Sequence, residues 1–197
     1  MKKDLSLSFL AGLLAGIFLY PTLSSLRVSF PLENIFLFIV LPLGAAFFIF
    51  AVKKLFSSIS NLYQFSKFFV SGGLNFSVDF GVLNILILLT GFTSGIYYTL
   101  FKTISFIIAN TNSYFWNKHW TFEDRQTHAG VGGYFKFLLV SVIGLVINVG
   151  VASLLVNVIH AQFGLSASIW ANVGAAFGAI AGLFWNYIGY KFIVFKS

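Results

Sequence analysis

The stretch GGLNFSVDFG, residues 72–81, sets an amide, Asn75, and a carboxylate, Asp79, four residues apart in an otherwise apolar run. Four residues is about one helical turn, so the two share a face. The next apolar run holds Lys102, close to Phe101 and Ile104. Ionisable groups at membrane depth are costly and are kept where they bind an ion or a phosphate, relay a proton or pair with each other. Lys102 is the sharpest of them: an ammonium suited to a phosphodiester, or else a long side chain snorkelling to the nearer headgroups. Asn75 and Asp79 serve either a polar translocation path or hydrogen bonding between helices, the latter at about 0.6 to 2 kcal/mol each. On an antiparallel neighbour Lys102 comes to the level of Asp79, so a buried ion pair is expected, one that an incoming phosphate would contest.

Composition states what must hold these groups. Of the 197 residues 58% are hydrophobic and only 9% charged, and the mean hydropathy is +0.92. A soluble domain carries about one quarter charged residues, so this is an integral membrane chain with no room for a separate soluble catalytic domain. The formal charge of +7 points to membrane lipid phosphate as the anionic partner, and no basic arm or motif suggests nucleic acid. With no cysteine, thiol chemistry and zinc-thiolate sites are excluded, and His119, His128 and His160 are too scattered for a metal site. No cofactor is expected.

Six apolar stretches of about spanning length are expected as helices, at 5–26, 32–52, 65–89, 96–116, 134–159 and 167–187. The first, after Lys2 and Lys3, could be a cleaved signal segment, but Lys53-Lys54 after the second fits a retained helical hairpin better. Lysines and Arg125 gather at one set of ends and Arg27 lies at the other, so the positive-inside rule places both termini in the cytoplasm. The expected fold is all-α, with an additional hairpin over 1–54, a linker or short surface helix over 55–64 and a four-helix domain over 65–197.

That domain contains a repeat. An offset of 69 residues lays Lys67 on Lys136, Asp79 on Asn148, Gly81 on Gly150, and Phe115-Trp116-Asn117 on Phe184-Trp185-Asn186. The two copies, about 65–122 and 134–195, are hairpins of two spans each and insert in the same direction, as parallel repeats do. Asn148 keeps the polarity of Asp79 without its charge, so the repeat is electrostatically asymmetric. In the last span Gly174, Ala175, Gly178, Ala179 and Gly182 form overlapping small-xxx-small patterns, expected either to pack helices within the chain or to join copies of it in a homo-oligomer.

The basic residue entering the first repeat helix, GGLNFSVDFGVLN, and ANTNSYFWNKHWTF over 109–122 resemble the GtrA-like family, whose signature reads Asn, aromatic, N-[RK]-x-W-T-F. The resemblance covers about 63–195. It implies a non-enzymatic protein of the bacterial cytoplasmic membrane that flips polyprenyl-phosphate-linked monosaccharides, such as undecaprenyl-phosphate sugars, for cell-surface polysaccharide or glycan modification. A separate glycosyltransferase would then use them. The additional hairpin departs from the family's usual four spans. On this reading Lys102, Lys67 and Lys136 are candidates for the lipid phosphate, and Asn75, Asp79 and Asn148 for the polar path. Asn117, Trp116, Asn112 and Asn186 are candidates for the sugar headgroup. Lys67 and Lys136 also fit plain positive-inside topology, and the amides also fit a helix end wetting itself at the interface.

Two other readings stay open at this stage. A small cation or drug–proton exchanger would work through Asp79, whereas a non-catalytic scaffold would dock a partner glycosyltransferase on the first hairpin. A membrane glycosyltransferase would need paired catalytic carboxylates facing water, and Glu123-Asp124 beside Arg125 reads as a solvated turn.

Overall fold

The computed structural model describes residues 1–56, 60–121 and 131–189, without the side chains of 60–61, 118, 131–138 and 186–189. Six helices are described: α1 (Lys2–Leu26), α2 (Glu33–Leu55), α3 (Ser60–Thr90), α4 (Gly95–Trp116), α5 (Val131–Leu154) and α6 (Ala167–Gly189). Wider π-helical turns lie inside α2 at Phe36–Val40 and continue α4 at Asn117–Thr121 and α5 at Leu155–Ile159.

Among the described residues, five helical segments are long and apolar enough to cross a membrane: Lys2–Leu26, Glu33–Leu55, Leu62–Thr90, Leu139–Ile159 and Ala167–Trp185. This is a multi-pass membrane protein. Its helices turn large apolar side chains outward, Phe47 68% exposed and Leu89 78% exposed among them, a surface that only lipid accommodates over such an extent. The sixth expected span forms as α4 but is not among the five. It carries Thr99, Lys102, Thr103 and the run Asn110 to Ser113, and it turns Tyr98, Lys102 and Ser105 fully inward. Of the polar groups that lower its hydropathy, Lys102 and Ser105 are fully shielded, Thr99, Thr103, Asn110, Asn112 and Ser113 are half-buried, and Thr111 is exposed.

α3 starts at Ser60, earlier than the expected linker allowed, and runs for 31 residues, about 46 Å at 1.5 Å per residue. Tyr63 and Gln64 continue the helix because both find partners there, as described below. The connection from α3 to α4 is short, with Gly91 and Gly95 at φ of 77° and 72°. Only glycine takes that backbone without strain.

The chain divides into two compact units, Met1–Ile85 with Ile108–Gln126, and Leu86–Ile107 with Thr127–Ser197. In the first, α1 and α2 run antiparallel at close range. Gly12 faces Pro42 and Gly16 faces the Leu37 carbonyl inside the π-helical turn. This is a Gly-xxx-Gly contact, which lets two backbones approach without side chains between them. α1 then lies parallel to α3: Asp4 meets Tyr63 and Lys67, Ala11 and Ala15 pack with Leu74 and Val78, the Phe18 carbonyl lies on Gly81, and Thr22 lies by Asn84. The additional hairpin is thereby built into the first unit along the length of α3.

In the second unit α5 and α6 pack antiparallel. Gly174 faces Ala152 and Val156, Gly178 faces the Asn148 carbonyl and Gly182 faces the Asn148 side chain. The small-residue stripe is therefore used within the chain, where a Cβ on Gly174 would meet Val156 at 2.5 Å. Asn157 clasps the start of α4, accepting from the Gly95 N–H at 2.5 Å and donating to the Gly95 carbonyl and the Thr99 hydroxyl at 3.1 Å each. The Tyr98 hydroxyl donates to the Ala171 carbonyl at 2.8 Å, joining α4 to α6.

The repeat-related glycines differ in surroundings: Gly81 is pressed against Phe18, and Gly150 has nothing within 4 Å. Gly81→Ala is expected to destabilise by about 1 to 3 kcal/mol through overpacking. Gly150→Ala is expected to be neutral or to stabilise by up to about 1 kcal/mol through helix propensity. Thermal unfolding of the two variants in detergent checks the contrast.

Candidate functional site

Lys67 does not sit at an exposed helix end, as a topology-only lysine would. It is 6% exposed, and its Nζ lies 2.9 Å from Asp4 Oδ1. The Tyr63 hydroxyl donates to the other oxygen of Asp4 at 2.9 Å, and the Trp120 indole N–H donates to Oδ1 at 3.1 Å. Lys67 also donates to the Trp120 carbonyl at 3.5 Å and stands 5.1 Å from the Tyr63 ring centre, with Lys53 at 4.9 Å from the same ring. Three donors from α3 and the π-helical turn after α4 thus converge on one carboxylate from α1.

The local sequence explains the convergence. Tyr63 and Lys67 are one turn apart on α3, so both point at the same level of α1. The wide turn Asn117–Thr121 holds Trp120 1% exposed, with its indole across Trp116 at 5.6 Å and 74°. Thr121 accepts from Gln64 through its carbonyl at 3.5 Å, and its hydroxyl meets that of Ser71 at 3.5 Å. Ser71 also donates to Asn117 Oδ1 at 3.2 Å, and Asn117 Nδ2 donates to Ser113 at 3.1 Å. The WNKHWT stretch is thus a clasp that fixes the end of α4 against the face of α3 bearing Lys67.

Lys67, Ser71, Asn75 and Asp79 recur every fourth residue, a polar stripe about 18 Å long on α3. All are buried except Asn75, which is half-buried. The Asn75 Oδ1 and the Asn112 Nδ2, both in the first unit, are buried atoms with no hydrogen-bond partner among the described residues. An acceptor and a donor left unmade in an apolar helix pack each cost about 1 to 3 kcal/mol. The repeat copy replaces the stripe with Lys136, Val140, Gly144 and Asn148, so the first copy alone carries the full series.

In the second unit Lys102 is 0% exposed, so snorkelling to the headgroups does not describe it. Asn148 is 3% exposed, and its Oδ1 has no partner among the described residues; the Ser141 hydroxyl, seven residues earlier on α5, is in the same condition. Asp79 is buried in the first unit and Lys102 in the second. The side chains of Lys136 and Asn186, and the pair Glu123-Asp124, lie outside the described residues. Among the described residues no group of three His, Asp or Glu gathers to hold a metal.

Residues 67–195, well over half the chain, match the model of the GtrA/DPMS transmembrane domain. The chain belongs to the GtrA/DPMS transmembrane domain family. No curated protein and no solved structure matches it. The matched region begins at Lys67, so the GtrA/DPMS region supplies Lys67 and Trp120 to the buried cluster, while Asp4 and Tyr63 come from outside it.

Of the residues singled out in the sequence, Lys67 and Asn117 belong to these hydrogen bonds and Trp116 stands against Trp120, while Asn75 and Asn112 lie on α3 and α4 in the same unit. Asn117 holds the clasp together with both ends of its amide. Sequence reasoning missed Asp4, Tyr63, Ser71 and Trp120 as members of this site. The i, i+4 series through Ser71 was a signal available for one of them.

Removing one partner of a buried ion pair strands the other charge, at about 3 to 5 kcal/mol, while replacing both by apolar groups is often neutral. Lys67→Met is therefore expected to lower the melting temperature strongly, and Asp4→Leu with Lys67→Met to recover most of the loss. A double-mutant cycle on the full chain in detergent measures the coupling.

Proposed function

We propose that this GtrA/DPMS family member flips a polyprenyl-phosphate-linked monosaccharide across the bacterial cytoplasmic membrane. A separate membrane glycosyltransferase then uses it in cell-surface polysaccharide or glycan modification. The observation that carries the proposal is the set of buried amide atoms, on Asn75, Asn112 and Asn148, with no hydrogen-bond partner among the described residues, inside largely apolar helices. Leaving them unmade costs stability, and a cargo rich in hydroxyls supplies what they lack. The buried ammonium of Lys102 supplies the charge that a phosphodiester requires while it crosses a core about 30 Å thick. On this reading Lys102 meets the phosphate, and Asp79, with Asn75 and Asn148, belongs to the polar path. Lys67 and Lys136 receive the phosphate from the cytoplasmic leaflet, and Asn117, Trp116, Asn112 and Asn186 receive the sugar. Protein residues bind and shield, and no bond in the cargo is made or broken.

Purified protein in liposomes is expected to move a polyprenyl-phosphate sugar between leaflets. Lys102→Ala is expected to slow that movement at least about tenfold, a barrier increase of about 1.4 kcal/mol, while the variant remains folded and monodisperse. Unchanged flipping in Lys102→Ala removes the assignment of this lysine. Loss of transport in Asp79→Asn, with Lys102→Ala unaffected, points instead to cation exchange.

A further inference from the structure

We propose that Tyr63, Lys67 and Trp120 form an anion site whose resident occupant is Asp4, a tethered carboxylate that a phosphate must displace. The incoming anion is taken as a lipid phosphate on the strength of the function proposed above; the site itself is argued from geometry.

The three donors approach the carboxylate from different groups: the Lys67 ammonium at 2.9 Å and the Trp120 indole at 3.1 Å on Oδ1, and the Tyr63 hydroxyl at 2.9 Å on Oδ2. An ammonium, a phenol and an indole N–H, set around two oxygens of a shared negative charge, match a phosphate oxygen pair as well as a carboxylate. Charge favours a phosphate monoester. Lys53 and Lys67 both stand against the Tyr63 ring, at 4.9 and 5.1 Å, and the Met1 ammonium lies 3.7 Å from Asp4 Oδ2, so one carboxylate meets several positive charges. A monoester with its second ionisation answers more of that charge than Asp4 does, whereas the phosphodiester of a sugar-linked lipid replaces Asp4 charge for charge.

The occupant is also the part that can leave. Lys67 and Trp120 belong to the matched family region, whereas Asp4 is carried on the first turn of α1 by a short side chain. Turning that side chain away clears the site without moving α3 or the clasp. One turn beyond Lys67 on α3, buried Ser71 donates to Asn117 Oδ1, so the positions next to the site offer a hydroxyl and an amide to a group attached to the phosphate.

An occupant that fills a site most of the time weakens a competing ligand by the fraction of time the site is empty. Asp4→Asn removes the competing charge and keeps the shape. The full-length protein in detergent is titrated with farnesyl phosphate and, separately, with inorganic phosphate, with binding and melting temperature read together. Asp4→Asn is expected to melt below wild type and to be restored toward it by farnesyl phosphate, with affinity at least about tenfold tighter than wild type. Asp4→Glu is expected to behave as wild type, and Asp4→Asn with Lys67→Gln to lose the rescue. Rescue by farnesyl phosphate well below the inorganic phosphate concentration required identifies a lipid source. Equal rescue by both identifies a free-phosphate site and overturns the lipid assignment.

A purely structural Asp4 gives a destabilised Asn variant that neither phosphate rescues, and that result overturns the proposal. Flipping by the wild-type protein in liposomes is scored separately. Phosphate rescue without flipping leaves the anion site standing and removes the transport function, while flipping without rescue does the reverse.

Discussion

A charge withdrawn from water must meet its opposite within the protein, and in a chain this apolar few groups are available to answer it. The contact between Asp4 and Lys67 is where that constraint acts most visibly. Holding it requires α1 to lie parallel to α3, so that the first turn of one reaches the second turn of the other. It requires the π-helical turn at Asn117–Thr121, which swings Trp120 under the carboxylate. The glycines beneath serve the same end: Gly81 lets the Phe18 backbone approach, and Gly12 and Gly16 let α2 close over α1. Packing along some twenty residues of α1 is thus consistent with one ion pair at its start.

The same constraint orders the polar side chains along α3. Lys67 and Ser71 are satisfied by named partners, whereas Asn75, and Asn112 on α4, each have a buried atom with no hydrogen-bond partner among the described residues. The stripe therefore carries both groups that hold the fold and, at Asn75, an atom with spare hydrogen-bonding capacity. The repeat copy keeps the lysine as Lys136, puts the uncharged Asn148 where the first copy has Asp79, and has Val140 and Gly144 at the two positions between.

Much of the architecture was legible because lipid imposes simple rules. Apolar runs of spanning length pointed to helices, and the WNKHWT stretch pointed to the family, read over about 63–195 and matched over 67–195. α4 was legible as a helix but fell short as an apolar span, because Lys102 and the run Asn110 to Ser113 lower its hydropathy. The Asp4 contact was not legible, since nothing in a sequence says which of several acids will lie parallel to which lysine across sixty residues. The Gly12 and Gly16 pair was legible in principle, as spacing alone reveals it, but its partner at Leu37 depends on a wide turn in α2 that no pattern announces. For Lys136 and Asn186, the sequence reading stands alone.

α3 is about 46 Å long, and the hydrocarbon layer of a bilayer about 30 Å. Some 16 Å of helix must therefore tilt or reach into the headgroups. If that excess is shared equally between the two ends, Lys67, about 10 Å from the start of α3, falls close to the margin where hydrocarbon gives way to water. Bilayer thickness then becomes a variable acting directly on the ion pair: thicker membranes draw the margin outward and dry the pair, and thinner ones wet it. A protein so built takes part of its local dielectric from the lipids around it.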